Sequence, residues 1–286
     1  MNPDQRIEAF QTPAPVRLSV DIPMGRIRIT AAAVNTTRVE LTAVHGDTHA
    51  RELIANAEIR QSGNDIVVRI DDRGFAFRLF WRGQIQATIE VPLGSAARLC
   101  TGSGHIETTG QLGDVKATSG SGAIHLGASG EVRAHAGSGE IAIASASGSV
   151  DAKTGSGRIK VGKVGADARI ATGSGHVELD EAAGRAWLKT ASGHIEIGRA
   201  GDSLEAVASS GDVRVRCADH GRVNASTMSG RVSVGVARGV AALLDIRTMS
   251  GRVDSELDTV DAPRTGDGKV ELILRTMSGN VSVARA

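Results

Sequence analysis

A repeat of about 18 residues runs through most of the chain and restricts it to very few folds. The dipeptide Ser-Gly forms a regular series, with its glycine at positions 104, 122, 139, 157, 175, 193, 211, 230, 251 and 279. Two and four residues after most of these glycines come aliphatic residues with a polar residue between them, as in Ile195, Glu196 and Ile197. Strict alternation of this kind predicts a short strand with one buried face.

Each repeat also contains a second short strand before its glycine. Aliphatic residues stand seven and five positions earlier, as Leu204 and Ala206 do before Gly211. One repeat cannot bury its own apolar face, so the repeats must stack with their strands parallel. We therefore predict an all-β, single-chain parallel β-helix, or β-solenoid, with a sharp glycine corner between the two strands of each coil. The crossover rule for parallel strands favours right-handed winding.

Composition supports a thin core and argues against a nucleic-acid partner and a membrane-spanning segment. The 286 residues include 36 glycines, no tyrosine and 2% aromatic residues, so small aliphatic side chains must fill the interior. The 33 basic and 32 acidic residues argue against a nucleic-acid binder that neutralises phosphates.

No stretch approaches the ~20 apolar residues of a transmembrane segment. The N-terminus lacks a secretory pattern, so we expect a cytoplasmic protein, which the two cysteines fit.

The N-terminal third contains a less regular form of the same repeat. The stretch VRLSVDIPMGRIRITA fits the pattern if Met24 and Gly25 stand in for Ser-Gly. Val39 and Leu41 precede Gly46 with the same spacing and predict a further coil. These observations extend the solenoid towards the N-terminus.

An insertion at about residues 47–91 is predicted to cap the N-terminal end. Its first part can form a short helix with Asp47 as the N-cap, followed by a hairpin that turns at Gly63 and Asn64. The stretches GFAFRLFWRG and QIQATIEVP predict two more strands. We predict irregular coils with this cap over residues 1–95 and a regular solenoid over residues 96–286.

Several stretches resemble a known bacterial family. FQTPAPVRLSVDIPMGRIRITA, IEVPLGSAARLCTGSGHI, VARGVAALLDIRTMSGRV and RTMSGNVSVARA are similar, in this order, to the toastrack proteins, a β-strand-repeat family that includes predicted adhesins. The resemblance covers nearly the whole chain and implies a β-helical fold. It also implies a link to cell-envelope stress systems, in which the domain is expected to bind ligands or partners. The family has no agreed catalytic residues.

One group of side chains has the composition of a zinc site. His176, Glu178, His194 and Glu196 occupy outward positions of adjacent coils and form a square on one face. Two histidines and two carboxylates can hold zinc. The preferred interpretation is a solvated ladder of charges, with Lys160 and Arg214 as neighbours. We therefore assign no metal and no cofactor, and keep zinc as the alternative.

Aromatic side chains are the first candidates for partner binding. Trp187 is predicted to point outward between Arg169 and Glu205 of the neighbouring coils, where it can anchor a partner; the alternative is a turn that covers it. A second cluster lies in the insertion and is interpreted first as a hydrophobic plug over the first coil, with partner or membrane contact as the alternative. Its members are Phe75, Phe77 and Trp81.

The C-terminal strand is the second candidate for partner binding. Val281 and Val283 form an apolar strand after the last repeat glycine, and three residues follow it. An uncovered strand at the end of a solenoid offers unpaired N–H and C=O groups to another strand. We therefore expect self-association there, in the simplest case as a two-fold dimer.

The preferred function is a non-catalytic binding or scaffold module with a protein partner or a second copy. The alternatives are a self-assembling structural protein, a surface adhesin and a carbohydrate-active β-helix enzyme. An enzyme of the last class needs clustered or paired carboxylates, whereas the outward acids here stand singly among bases. The chain is thus expected not to be an enzyme, and no ligand can be identified from it.

Overall fold

The computed structural model describes residues 4–44, 47–70, 84–257 and 268–286, and within these ranges nearly every element is a strand. The chain divides into two compact units, Met1–Ala146 and Ser147–Ala286. In each unit parallel strands stack coil upon coil. The predicted all-β fold and parallel β-helix are confirmed.

The first unit contains eleven described strands and one helix. Their bounds are β1 Gln5–Gln11, β2 Arg17–Ala32, β3 Thr36–Ala43, α1 Thr48–Ala55, β4 Glu58–Ser62, β5 Asp65–Arg69, β6 Ile85–Pro92, β7 Ala96–Thr109, β8 Val115–Ser121, β9 Ile124–Ser129, β10 Val132–Ser138 and β11 Ile141–Ala146. One sheet consists of β5, the first half of β2, the first half of β7, β8 and β10. The other consists of β6, the second halves of β2 and β7, β9 and β11.

The first corners follow the predicted repeat. Strands β2 and β7 run through the corner in register, with Met24 beside Ser103 and Gly25 beside Gly104. Met24 and Gly25 therefore do stand in for Ser-Gly. The corner lets one long strand contribute to both sheets.

In its described residues the insertion forms the elements that its sequence predicts. The carboxylate of Asp47 accepts a hydrogen bond of 2.8 Å from the backbone of His49 and caps α1. Strands β4 and β5 form an antiparallel hairpin around Gly63 and Asn64. Strands β5 and β6 then pair with the side of β2 opposite to β7, and so add an outer coil. The predicted strand GFAFRLFWRG lies outside the described residues, and the proposed domain boundaries remain a prediction.

One strand of the N-terminal region runs in a direction that the repeat did not predict. Val39 and Leu41 are buried as expected, but their strand β3 is antiparallel to both β6 and β1. The prediction of another parallel coil at this point is therefore wrong. The reason is that period-2 alternation sets which side chains are buried and does not set strand direction.

The second unit consists of strands in the part that the structure describes. Their bounds are β12 Val150–Ser156, β13 Ile159–Val164, β14 Ala168–Ser174, β15 Val177–Ala182, β16 Ala186–Ser192, β17 Ile195–Ala200, β18 Ser203–Ser210, β19 Val213–Ala218, β20 Gly221–Ser229, β21 Val232–Val236, β22 Val240–Ser250, β23 Val253–Ser255, β24 Gly268–Ser278 and β25 Val281–Arg285. The even-numbered strands from β12 to β20 stack in one sheet, and the odd-numbered strands from β13 to β21 stack in the other.

Buried threonines hold the corners of successive coils together. The Thr190 hydroxyl donates to the carbonyl of Gly175 at 3.2 Å, and the Thr227 hydroxyl donates to the carbonyl of Gly211 at 2.9 Å. Each bond joins one coil to the coil before it. Because the hydroxyl finds a backbone acceptor, its burial does not leave an unsatisfied donor.

The last coil in the sequence is not the last coil in space. Strand β24 pairs with β20 on one side and β22 on the other, and β25 likewise lies between β21 and β23. The threonine bonds agree, because Thr276 donates to Gly230 and Thr248 donates to Gly279. The terminal coil is therefore formed by β22 and β23, and the chain returns to place β24 and β25 inside it.

This order corrects the prediction of a free C-terminal strand. Val281 and Val283 are 0% and 1% exposed, and their strand has a hydrogen-bonded neighbour on each side. All coils share nearly the same register, so the sequence cannot distinguish the coil that ends the stack from the coil that precedes it.

Candidate functional site

The predicted histidine and glutamate square is formed as expected. Glu178 pairs in register with Glu196, and the rings of His176 and His194 stack with their centroids 5.1 Å apart. The ring atom Nδ1 of His176 accepts the backbone N–H of His194 at 3.2 Å. His194 Nδ1 accepts the N–H of Asp212 at 3.0 Å in the same way. The two imidazoles thus link neighbouring coils through one nitrogen each.

The carboxylates of this square belong to a ladder of charges. Lys160 Nζ lies 3.0 Å from Glu178 Oε1, and this hydrogen bond raises the pKa of Lys160. Glu196 lies 3.6 Å from Arg216 Nε. Among the described residues, no group of three or more histidine, cysteine or acidic side chains is placed to hold a metal ion. Lys160 pairs with Glu178 as expected, Arg216 approaches Glu196 although Arg214 is its cross-strand neighbour, and the assignment of no metal stays a prediction.

Trp187 lies where the repeat places it. It is half-buried on the outer face of β16, with Arg169 and Glu205 as its cross-strand neighbours. The guanidinium carbon of Arg169 stands 4.5 Å from the centre of its ring. This cation–π contact already occupies one face of the indole.

The other predicted partner-binding residues do not form a described surface. Phe75, Phe77 and Trp81 lie outside the described residues. Val281 and Val283 face the core, so their side chains present no surface to a partner.

A basic groove on the first unit was missed from the sequence. Arg98, Lys116 and Arg133 are exposed and lie beside one another in register on β7, β8 and β10. They line a groove of about 610 Å³, together with Arg17 on β2 and Arg60 on β4. The signal was present, because the three central residues each stand six positions before a repeat glycine. It becomes visible when the repeats are aligned and the charges of one position are compared.

The acidic residues of this groove are already engaged. Asp65 accepts a hydrogen bond of 2.8 Å from Arg17, which lowers the pKa of the Asp65 carboxyl. Glu131 lies 2.7 Å from Arg133. Asp114 accepts the backbone N–H of Glu131 at 2.9 Å. We call the row of Arg98, Lys116 and Arg133 the basic ladder. Within the described residues, no acidic side chain forms an ion pair with its two other cations, Arg98 and Lys116.

A stripe of exposed methionines marks the end of the second unit. Met228, Met277 and Met249 follow equivalent threonines in the last three coils of the sequence, where the earlier Ser-Gly repeats carry glycine, alanine or serine. Their exposed fractions are 57%, 50% and 81%. Leu243 and Val253 of the terminal coil are also exposed. The triple recurrence of TMSG was the signal for this apolar surface in the sequence.

Two solved structures illustrate what the chain is similar to. One is a "putative adhesin" from Bacteroides fragilis NCTC 9343, which is 12% identical, with 98% of this chain and 96% of that chain covered and a TM-score of 0.44. The other is a "putative lipid binding protein" from Parabacteroides distasonis ATCC 8503, which is 10% identical, with 98% and 97% covered and a TM-score of 0.48. A search of curated proteins found no match.

In the described part of the chain, helix α1 is too short and too polar to cross a membrane, and no other helix there could do so. The family model described as Toastrack DUF4097 matches residues 17–284, which is most of the chain. The chain therefore belongs to the toastrack family.

Proposed function

We propose that the protein is a non-catalytic binding module whose first unit binds an extended anionic polymer. The observation that carries the proposal is the ladder of Arg98, Lys116 and Arg133 in the basic groove. The ligand chemistry is a chain of carboxylate or phosphate groups. The link to envelope stress and the cytoplasmic location expected from the sequence stay predictions.

The ladder has an electrostatic cost that a bound anion would remove. Like charges directly opposite one another on neighbouring strands destabilise a sheet. Neighbouring strands lie ~4.8 Å apart, so Arg98 and Arg133 are separated by roughly twice that distance. A polymer that lies across the strands can place successive anions near successive cations. The guanidinium groups can bind a carboxylate or phosphate through two hydrogen bonds.

The state of the groove acids supports binding rather than catalysis. A general acid or base must reach the reacting group with a free carboxyl. Here Asp65 is held by Arg17, Glu131 by Arg133, and Asp114 by the backbone. These contacts engage the acids of the groove and leave Arg98 and Lys116 as the cations that would recognise a ligand.

Binding of two defined polymers tests the proposal. Polygalacturonate supplies carboxylates and inorganic polyphosphate supplies phosphates, and titration calorimetry with each polymer distinguishes the two sources. We expect at least one polymer to bind, and its affinity to fall as salt is added because exposed charges are screened. Lys116→Glu should weaken binding at least tenfold.

A matched variant on the second unit controls for net charge. Lys189 is also exposed on the outer face of a strand, so Lys189→Glu makes the same change of charge outside the groove. It should leave the affinity within about twofold. Failure of both polymers to bind would refute the proposal, and so would equal weakening by Lys116→Glu and Lys189→Glu.

A further inference from the structure

The terminal coil of the second unit leaves the end of its core uncovered within the described residues. In β24 the inward side chains Leu272 and Leu274 are completely buried. The equivalent side chains of β22, Leu244 and Ile246, are only half-buried. Val253 of β23 is 47% exposed, although it pairs in register with the buried Val281. The apolar interior therefore reaches the surface at this coil.

The backbone of the same coil also has an available edge. In the solenoid, residues with inward side chains donate their N–H groups to the next coil, as Ile195 does to Asp212 and Val281 does to Arg252. By this alternation, Leu244 and Ile246 direct their N–H and C=O groups to the outer edge of β22. In the described part of the chain, β24 is the strand that pairs with β22, and it lies on the opposite side.

We propose that the edge of β22 pairs with the same edge of a second copy, antiparallel and around a two-fold axis through Ile246. Such an axis, normal to the sheet, keeps inward side chains opposite inward side chains. Ile246 meets Ile246 of the partner subunit, and the two cores become continuous. A two-fold contact of this kind closes on itself and gives a dimer.

Charge complementarity selects this register. With Ile246 on the axis, Asp245 lies opposite the partner's Arg247, and its own Arg247 lies opposite the partner's Asp245. These residues form non-hydrogen-bonded pairs, in which side chains approach most closely. In the single chain, Arg247 Nε lies 3.1 Å from Asp245 Oδ1 along one strand, so both charges already point outward together.

The neighbouring registers are disfavoured by the same charges. An axis through Asp245 would place it opposite Asp245 of the partner subunit, and an axis through Arg247 would place two guanidinium groups opposite each other. Both arrangements bring like charges together. The register centred on Ile246 also sets Leu243 opposite the partner's Met249. It thus buries two of the most exposed apolar side chains, which are 69% and 81% exposed.

Charge reversal provides the test in the full chain. Sedimentation velocity over a range of protein concentrations should show a monomer–dimer equilibrium. Asp245→Arg alone and Arg247→Asp alone should each raise the dimer dissociation constant roughly tenfold or more, because opposite charges become like charges. The double variant should restore dimerisation, since it exchanges the two signs. A chain that stays monomeric at every concentration would overturn the proposal, as would single reversals without effect or a double variant that fails to restore the dimer.

A control variant separates association from stability. Glu271 of β24 pairs with Arg222 at 2.7 Å, and this pair lies one coil inside the edge. Glu271→Arg makes the same change of charge as Asp245→Arg and also breaks a pair within the chain, but it should leave the dissociation constant within about twofold. Equal weakening by both variants would attribute the effect to net charge and refute the register.

Hydrogen exchange identifies what covers the edge. The amide hydrogens of Leu244 and Ile246 should exchange quickly in dilute protein and slowly when the protein is concentrated. Slow exchange in the dilute monomer would show that the chain covers its own edge, and the proposal would fail. The groove lies in the other unit, so Lys116→Glu should not alter dimerisation.

Discussion

The glycine at each corner should be required because neighbouring coils approach too closely for a side chain. Gly193 has a φ of +144° and lies against the carbonyl oxygen of Gly175 in the coil before it. A Cβ atom at this position would stand 1.9 Å from that oxygen. We expect Gly193→Ala to destabilise the protein much more than the backbone strain at this φ alone would.

The expected cost has two parts. Holding a residue other than glycine at such a φ costs ~1–3 kcal/mol. To bring the Cβ to the 3.0 Å that real contacts require, the two coils must also separate by about 1 Å. That shift would break the two corner hydrogen bonds that join these coils, from the Gly175 N–H to Ser192 at 2.8 Å and from the Thr190 hydroxyl to Gly175 at 3.2 Å. Because the corner is partly open to water, each lost hydrogen bond costs ~0.5–1.5 kcal/mol. We expect a total loss of ~2–6 kcal/mol, which is a large part of the usual stability of a domain.

Gly239→Ala is the matched control in the same unit. Gly239 has a φ of +76°, but nothing lies within 4 Å of an added Cβ. This variant should therefore lose only the ~1–3 kcal/mol of backbone strain. Urea unfolding followed by far-ultraviolet circular dichroism gives the two midpoints. If both variants shift the midpoint equally, close approach of the coils is not the reason for the glycine.

Three further outcomes follow from the strand register, one ion pair and the ladder of histidines and glutamates in the second unit. Ile195→Ala should lower the free energy of unfolding by ~2–5 kcal/mol, whereas Glu196→Ala on the outer face should change it by ~0.5 kcal/mol or less; equal thermal shifts would contradict the register. Arg17 lowers the folded-state pKa of Asp65, so this pair adds stability above the carboxyl pKa of the unfolded chain and loses it as the pH falls through the folded-state pKa. Asp65→Asn should reduce the difference in urea midpoint between neutral and acidic pH, and an unchanged difference would argue against the pair. Zinc should leave the thermal midpoint unchanged, because we expect His176, Glu178, His194 and Glu196 to form a solvated ladder; a clear rise by mass action would favour the metal site.

The alternation of residues was enough to predict the local structure. Ile195 faces the core and Glu196 faces outward, as their positions after Gly193 require. The corner at Gly25 was also found by spacing alone, without its usual serine. These features are local, because side chains alternate along a strand and a sharp turn needs glycine.

The candidate site was predicted less well, because it depends on neighbours in space. The histidine square stands out in the sequence because His176 and His194 directly follow their repeat glycines, whereas Arg98, Lys116 and Arg133 share a position six residues before the glycine and differ in residue type. Each of these cations is unremarkable within its own repeat. Its significance lies in the like charge on the next strand, which the register places beside it.

The coil, its inward and outward faces and its corners follow from the sequence, whereas the order of the coils at the ends depends on the tertiary structure. Strand β24 could be placed inside β22 because both carry the same RTMSG corner and pair in register. Strand β3 runs antiparallel although its apolar pattern equals that of a parallel strand. Repeats with equivalent edges can stack in more than one order, and alternation does not encode direction. The neighbours of each strand are therefore set by long-range pairing and by which coil is left at the end of the stack.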